Sequence, residues 1–199
     1  MEKGHTVEKI GGTSMSQFGE VMKNVIIGDR KSADLYNRIF VLSAYAGITD
    51  LLLENKKNGA PGVYGQLAKG GDWKAALQKV RARMMEYNRS FESIGLDGED
   101  ADKFINGRLD EIETCIGDLT RLHSYGHFPP RDYLPASREI LSSIGEVQSA
   151  YNSVLILQAH GVKARFVDLS GWMDTKLHTF EDMINNHFKD IDFSKELPI

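Results

Sequence analysis

Residues 7–18 read VEKIGGTSMSQF. A short apolar segment carrying Lys9 runs into Gly11-Gly12, then Thr13-Ser14, then a helical pattern. TVEKI, residues 6–10, reads as a strand, with Val7 and Ile10 supplying β-branching. Beyond the glycines the apolar positions Phe18, Val21, Met22, Val25 and Ile26 follow the helical repeat, which predicts an amphipathic helix capped by Ser14 or Ser16. Backbone N–H groups at a glycine turn entering a helix attract an anion. Glycine lets the backbone approach a phosphate because no Cβ intervenes. Lys9 can aim its ammonium at the same anion, an arrangement suited to the β/γ-phosphates in phosphoryl transfer. Neither G-x-x-x-x-G-K-[ST] nor G-x-G-x-x-G occurs in the chain. A Gly-Gly between strand and helix is also what a tight turn alone requires.

Outward from this stretch, RIFVLSA, residues 38–44, is a nearly continuous apolar run, as in a strand buried on both faces. YAGITDLLLENKKNG, residues 45–59, then predicts a second helix ending near Gly59. Strand, helix, strand, helix opens a parallel α/β sheet. The middle of the chain differs. Trp73, Leu77, Val80, Met84, Tyr87 and Phe91 form one helical stripe, and Ile105, Leu109, Ile112, Ile116 and Leu119 form another. The turn-like GLDGED, residues 95–100, separates them, so the two helices are expected to pack as an antiparallel hairpin. PPRDYLP, residues 129–135, breaks the pattern. A long helix is expected over about 136–160, with Ile140, Ile144, Val147, Tyr151, Val154 and Leu155 inward. VKARFVDL, residues 162–169, reads as a strand and FEDMINNHF, residues 180–188, as a short helix. Leu197 and Ile199 look like the start of one more buried strand; a natural domain can end on a strand, and the abrupt end equally fits a truncated piece of a longer chain.

Composition narrows the class of protein. Of 199 residues 41% are hydrophobic, enough for a packed core. A net charge of −4 without a basic run argues against nucleic acid as a partner. The single cysteine, Cys115, cannot form an internal disulfide, which fits a reducing compartment. No secretory leader or membrane-spanning run is present, so a cytoplasmic protein with no membrane partner is expected.

Further candidates lie downstream. In SAYAGITD, residues 43–50, small residues at a strand's C-terminal end leave room for a ligand. Thr49 there can bond a substrate carboxylate or simply cap the next helix. In SIGEVQS, residues 143–149, Glu146 sits in an apolar neighbourhood beside Gly145. It either receives a ligand's ammonium or is a partly exposed helix glutamate. The six histidines show no paired-ligand spacing apart from His123 and His127, which Gly126 separates, so no metal site is expected. Cys115 reads as packing beside Ile116. Asp168 ends a strand, where it serves a ligand or caps a turn equally well.

VEKIGGTSM, VLSAYAGITDLL and SIGEVQS, in this order, resemble the aspartokinases of the amino-acid kinase superfamily. In that family the opening block reads Lys-Phe-Gly-Gly-Thr-Ser, the second Ser-Ala-x-x-Gly-x-Thr, and the third contains Gly-Glu. FVDLSGWMDT, residues 166–175, is similar to the family's strand that carries an aspartate and then a threonine. The resemblance spans nearly the whole chain. It implies an α/β fold, a three-layer α/β/α sandwich with a mostly parallel sheet. Residues 1–199 would be the N-terminal part of one such domain, with the helical segment at about 73–125 inserted. It also implies transfer of the ATP γ-phosphoryl group to the β-carboxylate of L-aspartate. Lys9 would stabilise the transferring group, and Lys9, Gly11, Gly12 and Thr13 would hold the ATP phosphates. Ser14, Ala44, Thr49 and Glu146 would bind aspartate, with Glu146 on its α-ammonium. ATP would arrive with Mg2+, for which the chain offers no identifiable ligands. A homo-oligomer is expected.

Two departures qualify the resemblance. Ile10 replaces the usual Phe and, with the following SMS, is similar to the aspartokinases that feed ectoine synthesis. The family's Gly-Arg-Gly-Gly-Ser-Asp block and its regulatory ACT modules are absent. The chain alone is therefore expected to be inactive, its aspartate site incomplete and its adenine site missing. The alternatives are a non-catalytic module binding an amino acid or phosphate, and a superfamily kinase with another acceptor such as glutamate.

Overall fold

The computed structural model describes residues 4–31, 34–126, 128–171 and 179–199. Strands β1 (Thr6–Ile10) and β2 (Arg38–Leu42) pair in parallel, with Lys9 opposite Val41 and Ile10 opposite Leu42. A second parallel pair joins β3 (Ala164–Arg165) to β4 (Leu197–Pro198), and β4 packs beside β2. The strand expected over 162–169 thus shortens to two residues, although Val167 N–H still donates to the Ile199 carbonyl at 2.7 Å. Leu197 and Ile199 are buried as expected. The architecture is α/β with small parallel sheets set among longer helices.

The chain leaves β1 through α1 (Gly12–Met15) and α2 (Phe18–Val21), then a π-helical stretch over Met22–Ile27. The single predicted helix is therefore broken. Gly11 occupies the N-cap of α1 without a side-chain cap, so neither Ser14 nor Ser16 caps it. Widening to π geometry shifts the apolar stripe. Met22 and Ile26 stay buried while Val25 turns 42% outward. Arg38 locks this stretch to the sheet. Its guanidinium bonds the Val25 and Ile26 carbonyls and makes a two-pronged pair with Glu8 at 2.7 and 2.8 Å. These four bonds satisfy a buried cation. β2 is not buried on both faces: Phe40 and Leu42 are inside, yet Val41 is 49% exposed, as is Val7 on β1 at 65%.

The second helix, α3 (Ile48–Leu52), is much shorter than expected. Asn55 ends the run, its side chain accepting from the N–H groups of Lys57 and Asn58 in a turn. A further helix, α4 (Val63–Ala68), follows. The predicted stripes become α5 (Trp73–Phe91) and α6 (Gly98–Ser124), capped by Asp72 and Asp97. They pack on each other, and α6 also packs on α7 (Pro130–Ala159). That last helix begins at Pro130 rather than near 136. A proline at the first helical position costs nothing, because its missing N–H has no partner there in any case. Ile144, Val147 and Val154 are buried as predicted, whereas Ile140, Tyr151 and Leu155 are only half-buried. Gln148, Ser149, Asn152 and Ser153 take the interior positions instead. Helix α8 (Phe180–Phe188) carries a capping box formed by Thr179 and Asp182.

Candidate active site

Both parallel strands β1 and β2 end at the same edge, and two turns leave it. The first is Gly11 into α1; the second is Ser43–Gly47 into α3. Ser43 N–H donates to the Ile10 carbonyl at 3.0 Å, continuing the strand pairing into the turns. The two turns then come into direct contact. A Cβ on Gly12 would lie 2.6 Å from the Ala44 carbonyl oxygen, so that position admits only glycine without backbone movement. At Gly11 the space is open, with no atom within 4 Å of a built Cβ. The N–H groups of Gly12, Thr13 and Ser14 precede the first intrahelical bond, Met15 N–H to the Gly11 carbonyl at 2.9 Å. Gly11, Thr13 and Ser14 are exposed, and so is Lys9 at the end of β1.

Helix α7 supplies the third side. Ser149 Oγ donates to the Ser43 carbonyl at 2.9 Å. Gly145 lets α7 approach the second turn, since a Cβ there would meet the Ala44 Cβ at 2.7 Å and Ile48 Cγ2 at 3.0 Å. Glu146, next to it, is half-buried. Burial pushes its carboxyl above the usual range, while the backbone N–H groups of Glu146 and Ala44 and the Lys9 charge pull the other way. Its Oε2 is buried without a hydrogen-bond partner among the described residues. An acceptor in that state fits an incoming cation. Glu146 also lines a cleft of about 310 Å3 with Ile39, Val41, Ser142, Ser143 and Asp168.

Lys9, Gly11, Gly12, Thr13, Ser14, Ala44 and Glu146 are thus carried by adjoining elements at one sheet edge. Their placement is uneven. Of these, Glu146 alone lines the 310 Å3 cleft. Ala44 is buried between Gly12 and Gly145, and its backbone N–H is directed at the Glu146 carboxylate. Thr49 is half-buried inside α3 and does not cap it; Gly47 does, with φ 81°. Asp168 is engaged structurally. It pairs with Arg108 of α6 and accepts from Ser170 N–H at 2.9 Å. Cys115 is exposed rather than packed. His123 Nδ1 contacts the Phe128 carbonyl at 2.6 Å, and His127, His178 and Thr175 lie outside the described residues. Among the described residues no group of three or more His, Cys, Asp or Glu side chains is arranged to hold a metal ion.

Sequence reasoning missed three residues that hold these turns. Ser16 was legible only as a possible cap, Tyr87 only as a member of a core stripe, and Ser149 only as a neighbour of Glu146. No spacing signal links them.

No protein-family model matches the chain. Over 198 residues, 98% of its length, it is 50% identical to the aspartate kinase Ask_Ect of Stutzerimonas stutzeri (strain A1501), of which it spans 42%. Two solved structures of E. coli aspartokinase III also resemble it, one in complex with lysine and aspartate (T-state) and one with aspartate and ADP (R-state). Each aligns with a TM-score of 0.53 at 22% identity, over 83% of this chain and 31% of its own. At that identity the structural likeness bears on the fold alone, which this chain shares with part of aspartokinase III. The resemblance carried by the three sequence blocks is borne out by the 50% identity.

Proposed function

We propose that this chain is the N-terminal part of the catalytic domain of an aspartokinase, which transfers the ATP γ-phosphoryl group to the β-carboxylate of L-aspartate. The observation that carries the reading is 50% identity to an aspartate kinase over 98% of the chain. In this reading the whole domain is a three-layer α/β/α sandwich in which α5 and α6 are an inserted hairpin. The ectoine branch, a homo-oligomeric state and a cytoplasmic location belong to the same proposal.

The chemistry asks little of acids or bases. The β-carboxylate is already ionised at neutral pH and attacks the γ-phosphorus directly, while the bond to the ADP oxygen breaks. Catalysis is then positioning and neutralisation of charge. Lys9 faces the transferring phosphoryl oxygens, and the N–H groups of Gly12 and Thr13, opened by Gly11, receive the phosphates. Ser14 and Thr49 bond the aspartate beside Ala44, whose N–H orients the Glu146 carboxylate. Glu146 pairs with its α-ammonium, which supplies the counter-ion that the buried Oε2 lacks. Mg2+ would arrive with the ATP phosphates and supply further neutralisation of their charge.

Aspartate-dependent ATP turnover, with hydroxylamine trapping the acyl phosphate, tests the reading. It is run on these 199 residues beside the full coding length of the gene. Turnover by the longer protein and little by the shorter is expected. Absence of turnover by both, or an acyl phosphate formed from glutamate instead, overturns the aspartate assignment.

A further inference from the structure

Ala46, in the middle of the second turn, has both of its peptide groups held by side chains from elsewhere in the chain. Its N–H donates to Ser16 Oγ at 2.9 Å, and its carbonyl accepts from the Tyr87 hydroxyl at 2.9 Å. Ser16 Oγ and the Tyr87 hydroxyl lie 3.2 Å apart. A phenol has one proton, and here the Ala46 carbonyl takes it, so the single Ser16 proton goes either to Tyr87 or to the Gly12 carbonyl. The three groups close a ring of contacts: Ala46 N–H to Ser16, Ser16 beside Tyr87, Tyr87 to the Ala46 carbonyl. When Ser16 donates to Tyr87, each hydroxyl both accepts and donates, and such bonds polarise one another. The Gly12 carbonyl, 3.2 Å from Ser16 Oγ, offers the same proton an alternative acceptor within the first turn.

The ring joins three elements. Ser16 follows α1, Ala46 belongs to the second turn, and Tyr87 projects from α5 of the helical hairpin. The Tyr87 ring is itself held. It stacks on Tyr45 at 4.6 Å between centres, and the Arg83 guanidinium lies 4.6 Å from its centre. We infer that Tyr87 and Ser16 are positioning residues that hold the Ser43–Gly47 turn in register with the Gly11–Met15 turn. The hairpin thereby sets the place of Ala44, whose N–H orients the Glu146 carboxylate, and of Thr49, and through them the affinity for the acceptor. The aspartate identity of that acceptor rests on the function proposed above; the clamp itself does not.

Two substitutions, Tyr87→Phe and Ser16→Ala, test it in the protein at its full coding length. Phenylalanine keeps the stacked ring and removes only the donor. Amide hydrogen exchange over residues 43–49 is expected to quicken about tenfold in each variant, with exchange in β1 and β2 unchanged. The KM for aspartate is expected to rise about tenfold while kcat stays within about twofold, because the loss falls on binding geometry. Ser16→Thr, which keeps the hydroxyl, is expected to restore both. Unchanged exchange in both variants overturns the clamp. Faster exchange with an unchanged KM, or a loss confined to kcat, overturns its role in acceptor binding. Should Tyr87→Phe fail to fold, Ser16→Ala decides alone. A parent enzyme without aspartate turnover removes the aspartokinase reading, and the exchange result then decides the clamp.

Discussion

Gly12 and Ala44 meet backbone to backbone: a Cβ on Gly12 would stand 2.6 Å from the Ala44 carbonyl oxygen. The neighbouring Gly11 faces open space, in an extended conformation that any residue adopts. The two glycines therefore serve different purposes. Gly12→Ala is expected to lower stability by about 1–3 kcal/mol, since a backbone atom must move. Gly11→Ala is expected to stay within about 0.5 kcal/mol of the parent in denaturant unfolding while weakening ATP binding. Equal effects of the two on stability would contradict this division.

Lys9 is exposed at the end of β1, where it contributes charge rather than packing. Lys9→Ala is expected to leave the melting temperature nearly unchanged and to cut kcat by about a hundredfold or more. Steady-state kinetics at saturating ATP and aspartate measure this. A variant that keeps its kcat removes Lys9 from the transfer step.

In the proposed function Glu146 sets ligand binding against stability. Its carboxyl titrates above the usual 4.5, chiefly because of burial. A group raised in the folded state binds more protons there than in the unfolded chain between the two values. Stability therefore grows as pH falls through that window and is lost as pH rises through it. Glu146→Gln is expected to melt higher than the parent at pH 7, with the difference shrinking as the pH approaches 4.5. Aspartate affinity is expected to fall about 10- to 100-fold in the same variant. Retained affinity would sink the ammonium assignment, and a pH-independent difference in melting would sink the linkage.

Asn88 joins the hairpin to α7 through a buried polar seam. Its Oδ1 accepts from Gln148 at 2.9 Å and Asn152 at 2.7 Å, and its Nδ2 donates to Asp102 at 2.7 Å. Asn88→Ala strands the Asn152 amide in the core and is expected to cost about 3 kcal/mol. Urea unfolding reads the loss directly. A cost below about 1 kcal/mol would mean that the seam does not hold the hairpin in place.

Much of the fold was legible where one element buries one face. The stripes of α5 and α6 repeat with the helical period, and every position from Trp73 to Phe91 in the first is buried. The strand at 6–10 was equally plain from its β-branched residues and the glycines that end it. Errors fell where a local pattern had competitors. In α3 the apolar run continues to Leu53, but Asn55 and Gly59 redirect the chain. The π-helical stretch kept its composition and lost its period, which turned Val25 outward. In α7 the apolar periodicity held only in part, because Gln148 and Asn152 are buried through partners on another helix.

The order of chemically distinctive blocks is a property of the sequence alone. Lys9 before two glycines, small residues after a second strand, and Glu146 in an apolar helix could all be read without coordinates, because each motif is contiguous. Tertiary structure decided what those blocks touch. Ser16 and Tyr87 are 71 positions apart, and nothing in that spacing announces a shared hydrogen bond. Only folding makes Gly12 indispensable, leaves Glu146 Oε2 without a partner among the described residues, and opens Val7 and Val41 on one sheet face. Periodicity reports how a residue faces its own element; contact between elements depends on packing that the local pattern does not encode.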